Sequence, residues 1–517
     1  MRQLKQCIML LTIILIANTA IAQKTKTFLK EINSINMTAP GVAVVGTDDA
    51  LYGIDKDGKE LWKNEKLKKI KATQIEILEG SELIYISSFR GSFLINVLSG
   101  EIYGDSEPTY GARVVHGTNQ VWIIRKYNAI DVYDIETKKK LYRLDNISLP
   151  HGLNSSNQTD SQSKDFIGVQ PIAFTGKETA ILHLGLESLC EYNLVSGKPI
   201  WHFNWEPYNV KKPKPKGKGD RASDLKRGYG MMKLDRTSHT LYFPFRNILI
   251  AIDSKTGKAK WDIKANKIGK AKDIFITDEG IVLLTPKGLQ LIDKETGMPK
   301  LDKPVKIKGL DGGLLIKDED DFYVVSKKSI EKIDVVNRTS TTLVEKIKFQ
   351  GGDSFSSLEL FDDIIVLSGS QNVVGVNKIS GEIMFSTYYK APGSSIMSIA
   401  QNAILTTVAI AATQNSRNLN SNAASPGSEY TYHQYTPALR SSGGSNSAES
   451  GKNLYVSTKF KDTDAKGFGI AKVNKETGKT QKKVVIGNRD PIYVVDENEG
   501  IIYYKSDKKT LDIKSLK

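Results

Sequence analysis

Cysteine is nearly absent from this chain: there are two in 517 residues. Cys7 lies in the N-terminal leader described below, so Cys190 alone remains, and the fold has no intrachain disulfide to rest on. Long apolar runs are missing too. The stretch at 7–16 is about half of the roughly 20 residues that a spanning helix needs, which excludes a multi-pass membrane protein. The usual signatures of catalysis are also lacking. No Gly-x-Ser-x-Gly elbow, phosphate-binding Walker loop, Gly-x-Gly-x-x-Gly turn or His-Glu-x-x-His pair occurs. The six histidines (116, 151, 183, 202, 239 and 433) never fall within five residues of one another, so no local metal pair exists. Asp55-Lys-Asp57-Gly58 has the start of a calcium loop, but Lys66 stands where the bidentate glutamate would be.

What is present begins with a leader. Arg2 and Lys5 precede the apolar stretch, and Ala20-Ile21-Ala22 forms a small-residue cleavage site before Gln23, the pattern of a secretory signal peptide over 1–22. The chain is therefore expected to be exported, periplasmic or secreted after cleavage near Ala22. Lysine and arginine exceed aspartate and glutamate by 15, which favours anionic partners and says nothing of fold.

The body of the chain is repetitive. Its clearest unit runs Leu249-Ile-Ala-Ile-Asp253-Ser-Lys-Thr256-Gly257-Lys-Ala-Lys-Trp261, and Asn193-Leu-Val-Ser196-Gly197-Lys-Pro-Ile-Trp201 repeats it. Further starts are Asp55 (with Gly58 and Trp62), Asn96, Asp134, Asp293, Asp334, Asn377 and Asn474. In chain order they stand 41, 38, 59, 60, 40, 41, 43 and 97 residues apart, a fixed period interrupted by insertions. Each unit holds apolar runs of strand length broken by short turns, which predicts four-stranded antiparallel sheets. The Asp or Asn accepts backbone N–H groups in the turn, and the glycine supplies the left-handed residue of a bulged hairpin. Trp62, Trp201 and Trp261, eight or seven places on, are expected to bury their rings against the neighbouring sheet. Tyr142 and Phe385 stand in for tryptophan, whereas Leu301, Thr342 and Lys482 depart from the pattern.

This motif resembles the tryptophan-docking repeat of the pyrroloquinoline-quinone-type β-propellers, a family that includes quinoprotein alcohol dehydrogenases and the propeller lipoprotein of the outer-membrane barrel-assembly machinery. The resemblance covers nearly the whole of 23–517. It implies an all-β fold, a single β-propeller of four-stranded blades. Nine motif units plus the run from Ile492 to Ile513 give eight to ten blades, with the ring closed by strands from the two ends, residues 25–32 supplying the missing one. The 97-residue gap leaves room for a blade without a motif, because 396–400 and 404–411 read as strands.

Three insertions interrupt the period, at 146–165, 206–233 and 412–452. The second carries Lys211, Lys212, Lys214, Lys216, Lys218, Arg221, Lys226, Arg227 and Lys233 against three acidic residues. Its prolines and glycines exclude helix and strand, and it is the candidate arm for an anionic partner. The third carries Tyr430, Tyr432 and Tyr435, a candidate stacking surface in a Ser- and Asn-rich loop.

Two functions follow. The expected one is a non-catalytic, monomeric, exported scaffold that binds a protein or an anionic envelope component, without cofactor and without nucleic acid. The alternative is a quinoprotein oxidoreductase. The resemblance implies that such an enzyme holds PQQ and calcium beside an aspartate base and an adjacent cysteine pair, which Cys190 alone cannot provide.

Overall fold

The computed structural model describes residues 24–516 outside 79–80, 89–90, 104–108, 116–118, 126–128, 145–170, 177, 184–187, 194, 205–232, 246–247, 265–272, 286, 308–313, 319–320, 327–328, 354, 392–446, 451, 462–464 and 490. Among the described residues the chain is all-β, with one 3-10 turn at Ala72–Gln74 and no α-helix. No helix there is long and apolar enough to cross a membrane.

The strands form ten separate antiparallel sheets, nine of four strands and one of three. In chain order they are sheet 1 (32–64), sheet 2 (75–103), sheet 3 (109–144), sheet 4 (171–204), sheet 5 (233–264), sheet 6 (273–292), sheet 7 (314–344), sheet 8 (355–388), sheet 9 (447–485) and sheet 10 (493–515). Within a sheet each strand pairs with the next in sequence. Sheet 10 is the exception, because its fourth strand is Lys24–Thr27, paired with Thr510–Ser515 from the other end of the chain.

The middle strands explain why the sequence shows solid apolar runs where a half-exposed strand would alternate. Ala43–Thr47, Leu51–Ile54, Gly280–Thr285 and Gly288–Ile292 are buried at every residue, so both faces of the sheet are covered. Apolar clusters join sheet 1 to 2, 2 to 3, and each successive pair from 4 to 10. A further cluster joins sheet 10 to sheet 1, with Val494, Tyr503, Leu511 and Ile513 packed on Ile32, Ile35, Tyr52 and Ile54.

Two features differ from the sequence reading. The strand that the N-terminal residues give to sheet 10 is Lys24–Thr27, and Ile32 already opens sheet 1. Ser447–Ser450, inside the expected 412–452 insertion, is the first strand of sheet 9. Sheets 8 and 9 pack on each other through Val366, Val373, Leu454 and Val473; the extra blade read at 396–411 lies outside the described residues.

Candidate functional site

Alternating strand directions divide the sheets' margins into two ends. First-to-second and third-to-fourth turns share one, and second-to-third turns share the other with the connections between sheets.

At the turn end the motif side chains bond within their own turns. Asp293 Oδ1 accepts the Thr296 N–H at 2.8 Å and its hydroxyl at 2.9 Å, and Asn377 Oδ1 accepts the N–H groups of Ile379 and Ser380 at 2.9 and 2.8 Å. The ladder slips by one residue just before the motif residue in sheets 1, 3, 4, 5, 8 and 9, so the expected bulge is a property of the repeat.

The aromatic rings cover the next sheet's turn. Trp62 donates from Nε1 to the Val97 carbonyl at 2.5 Å, Trp201 to Ser254 at 3.0 Å, and Trp261 to Lys294 at 2.9 Å. Below each ring lies the next turn's glycine: a Cβ on Gly100 would stand 2.6 Å from the Trp62 ring, and one on Gly257 2.5 Å from that of Trp201. These glycines also have φ near +70°, where other residues are strained. Phe385 covers Gly478 in the same way across the 392–446 connection. At sheet 7, where Thr342 replaces the ring, Gly381 packs on the Leu343 carbonyl directly.

A second tie, which the sequence reading missed, is carried by the residue after the motif Asp or Asn. Lys294 reaches back to Asp235 (3.6 Å), Lys378 to Asp318 (2.8 Å) and Lys475 to Glu359 (2.6 Å). Each carboxylate lies on the first strand of the preceding sheet. Lys56 of sheet 1 makes the corresponding pair with Glu499 of sheet 10 at 3.2 Å. The signal was four lysines at one repeat position, and a lone lysine in a turn reads as solvated.

The turn carboxylates give a pH test. Backbone N–H bonds hold the carboxyls of Asp134, Asp293 and Asp334 below their ordinary value. A depressed carboxyl contributes stability that is present above its unfolded pKa of about 4 and is lost as pH falls through the folded value. Since Asn474 holds the same turn by accepting from the Thr477 N–H and hydroxyl, Asp293→Asn is expected to keep the melting temperature at pH 7 and to lose less than the parent at pH 3. Parallel losses in thermal scans of the two proteins would refute it.

The connection end is where the expected binding segments depart. Lys211 to Arg227 belong to the connection leaving Asn204 of sheet 4 and returning at Lys233 of sheet 5, and Tyr430, Tyr432 and Tyr435 to that between sheets 8 and 9; all lie outside the described residues, as does the 146–165 loop on the other flank of sheet 4. The strands from which these connections leave thus end on the same side of sheets 4 and 8. The described part of that end has its own cationic feature. Asn453–Lys461 and Lys466–Asn474, nine residues each, are the longest strands, and their hairpin tip carries Lys459, Lys461 and Lys466. Lys459 Nζ lies 5.4 Å from the Phe468 ring centre.

Among the described residues neither a reactive thiol nor a metal centre emerges. Cys190 is buried with Sγ 2.6 Å from His202 Nδ1, and burial pushes its thiol pKa up to about 12, so the reactive thiolate is suppressed. Among the described residues no group of three His, Cys, Asp or Glu side chains is placed to hold a metal ion.

No protein-family model matches the sequence, and no curated protein does. Solved structures similar to the chain include BamB from Moraxella catarrhalis (12% identity, 86% of this chain and 96% of that one, TM-score 0.33). Others are the dihydro-heme d1 dehydrogenase NirN (10%, 79% and 74%, TM-score 0.36) and the C-terminal WD40 domain of Sif2 (10%, 68% and 97%, TM-score 0.34).

Proposed function

We propose that the chain is an exported, non-catalytic binding scaffold: a ten-bladed β-propeller of tryptophan-docking repeats, closed by Lys24–Thr27, that offers its connection end to an anionic partner, either an acidic protein or an envelope component. The observation that carries this reading is the division of labour between the two ends. At the turn end the motif carboxylates are spent on their own turns, and the ring N–H groups and lysines on neighbouring sheets. At the connection end the period is broken by three long segments, and the chain's most lysine-rich stretch is one of them. Loops on a rigid scaffold are where binding residues concentrate, and a cluster of one charge sign raises both the encounter rate and the salt dependence of binding.

The test replaces Lys211, Lys212, Lys214, Lys216 and Lys218 with Gln. The variant is expected to elute from heparin or phosphocellulose at lower salt than the parent, with an unchanged melting temperature because exposed charges contribute little to folding. Equal elution of the two proteins would remove the cationic arm from the proposal.

A further inference from the structure

Four backbone hydrogen bonds gather separate turns of sheets 10 and 1 into one surface at the connection end. The Lys69 N–H donates to the Thr47 carbonyl at 2.9 Å, that of Asp48 to Glu31 at 3.2 Å, that of Ile32 to Lys508 at 2.8 Å and that of Phe28 to Lys509 at 2.8 Å. The stretches so joined, 28–32, 47–50, 63–71 and 505–510, hold nine lysines and five acidic residues. Each acid already has a partner. Glu31 pairs with Lys505 at 3.0 Å and Glu65 with Lys63 at 2.6 Å, while Asp48 accepts from Asn33 at 3.0 Å, Asp49 from the Thr47 hydroxyl at 2.6 Å and Asp507 from the Lys509 N–H at 2.7 Å. Lys30, Lys66, Lys68, Lys69, Lys508 and Lys509 are exposed.

The surface is held from below. Leu67 and Ile70 are buried in the cluster that joins sheets 1 and 2, so the lysines around them are turned outward. Phe28 is buried as well, its ring edge-on to that of Tyr52 with 4.9 Å between centres. Leu29, the next residue, is nevertheless 74% exposed, beside Lys30. An anchored neighbour on one side and the Ile32 ladder on the other fix this leucine in water. Among the described residues, the other large apolar side chains that are exposed stand in third-to-fourth turns or on fourth strands, so Leu29 is the one that accompanies the lysines of the connection end.

We infer that this surface docks on an anionic lipid bilayer, with its lysines over the lipid phosphates and Leu29 entering between the headgroups. The inference rests on the reading of the connection end as the binding end, and adds to it a surface separate from 206–233. Each lysine brought near a negatively charged leaflet adds to the attraction, and an apolar side chain among them gains by burial at the headgroup boundary. A bilayer rewards both. A soluble polyanion rewards the lysines alone and leaves Leu29 in water. Docking of this kind is reversible, since a few lysines and one leucine are far less than a spanning helix.

The test is co-sedimentation of the full chain with vesicles of phosphatidylcholine alone, or of phosphatidylcholine and phosphatidylglycerol in equal parts. The parent is expected to sediment with the anionic vesicles only and to be released by salt. Replacing Lys66, Lys68 and Lys508 together by Gln is expected to weaken binding about a hundredfold, and Leu29→Ser about tenfold. Both variants are expected to melt with the parent, because the changes are exposed. Leu29→Ser is also expected to elute from heparin as the parent does, since it removes no charge. In the five-lysine variant of 211–218 both changes are expected to weaken vesicle binding by the same factors, so this surface and the 206–233 arm can fail separately. Three results overturn the inference: a parent that sediments with neither vesicle or with both alike, vesicle binding indifferent to the three-lysine change, or vesicle binding indifferent to Leu29→Ser, which would assign the surface to soluble polyanions.

Discussion

Trp62→Ala is expected to lower the unfolding free energy by about 3 to 5 kcal/mol, the range for deleting a buried aromatic ring. The ring is 8% exposed, lies between two glycines, Gly53 on its own sheet and Gly100 on the next, and belongs to the apolar cluster that joins sheets 1 and 2. The loss includes its hydrogen bond to the Val97 carbonyl, which would leave a buried acceptor unpaired. Trp261 is only half-buried, and Trp261→Ala is expected to cost less. Urea titration of both variants against the parent measures this; an unchanged midpoint for Trp62→Ala would mean that the ring does not join sheets 1 and 2.

Lys475 gives the other large effect. Its side chain is 1% exposed, its ammonium lies 2.6 Å from Glu359 and 5.7 Å from the Phe361 ring centre, and the pair joins sheets 8 and 9. Removing one member of a buried pair leaves the other charge uncompensated, so Lys475→Ala is expected to cost about 3 to 5 kcal/mol. Replacing both partners by apolar residues of similar volume is often neutral. The double variant Lys475→Met with Glu359→Leu is therefore expected to recover most of the loss, and a double variant as unstable as the single one would show that the pair does more than neutralise itself.

The repeat made the turn end legible. Asp253, Gly257 and, from the preceding repeat, Trp201 hold one turn through a hydrogen bond, a left-handed residue and a ring, and each of those needs a particular residue type at a particular spacing. The first three strands of sheet 10 were legible for the same reason, from their apolar runs. Sheet 6 was not. Its fourth strand is reduced to isolated bridges, Ile292 to Pro299 and Leu289 to Val305, because Pro299 and Pro304 have no N–H to give the ladder. The prolines were visible, but the repeat assigned the same four strands to every unit. Glu359 and Lys475 were opaque for a different reason: 116 residues separate them, and only the packing of two sheets brings them together. The boundary of the third insertion failed at Ser447–Ser450 because Ser-Ala-Glu-Ser has neither strand propensity nor apolar alternation, and the ladder to Asn453–Val456 alone makes it a strand. Of the candidate site, charge and composition indicated the segments, and the topology of the connections indicated the end of the sheets from which they leave.

The pairing of Lys24–Thr27 with Thr510–Ile513 sets an order of events during synthesis. Thr25 bonds to Asp512 across 487 residues, whereas ordinary repeats stand 40 apart. At equilibrium that span adds only about 2 kcal/mol to the entropy of closure, since the cost grows with the logarithm of the loop. In time the difference is absolute. Lys24–Thr27 has no partner until Thr510–Ile513 have followed it, and until then it must be carried as an unpaired polar segment. Its composition, Lys-Thr-Lys-Thr, exposed almost throughout even when paired, suits a strand that has to wait in water.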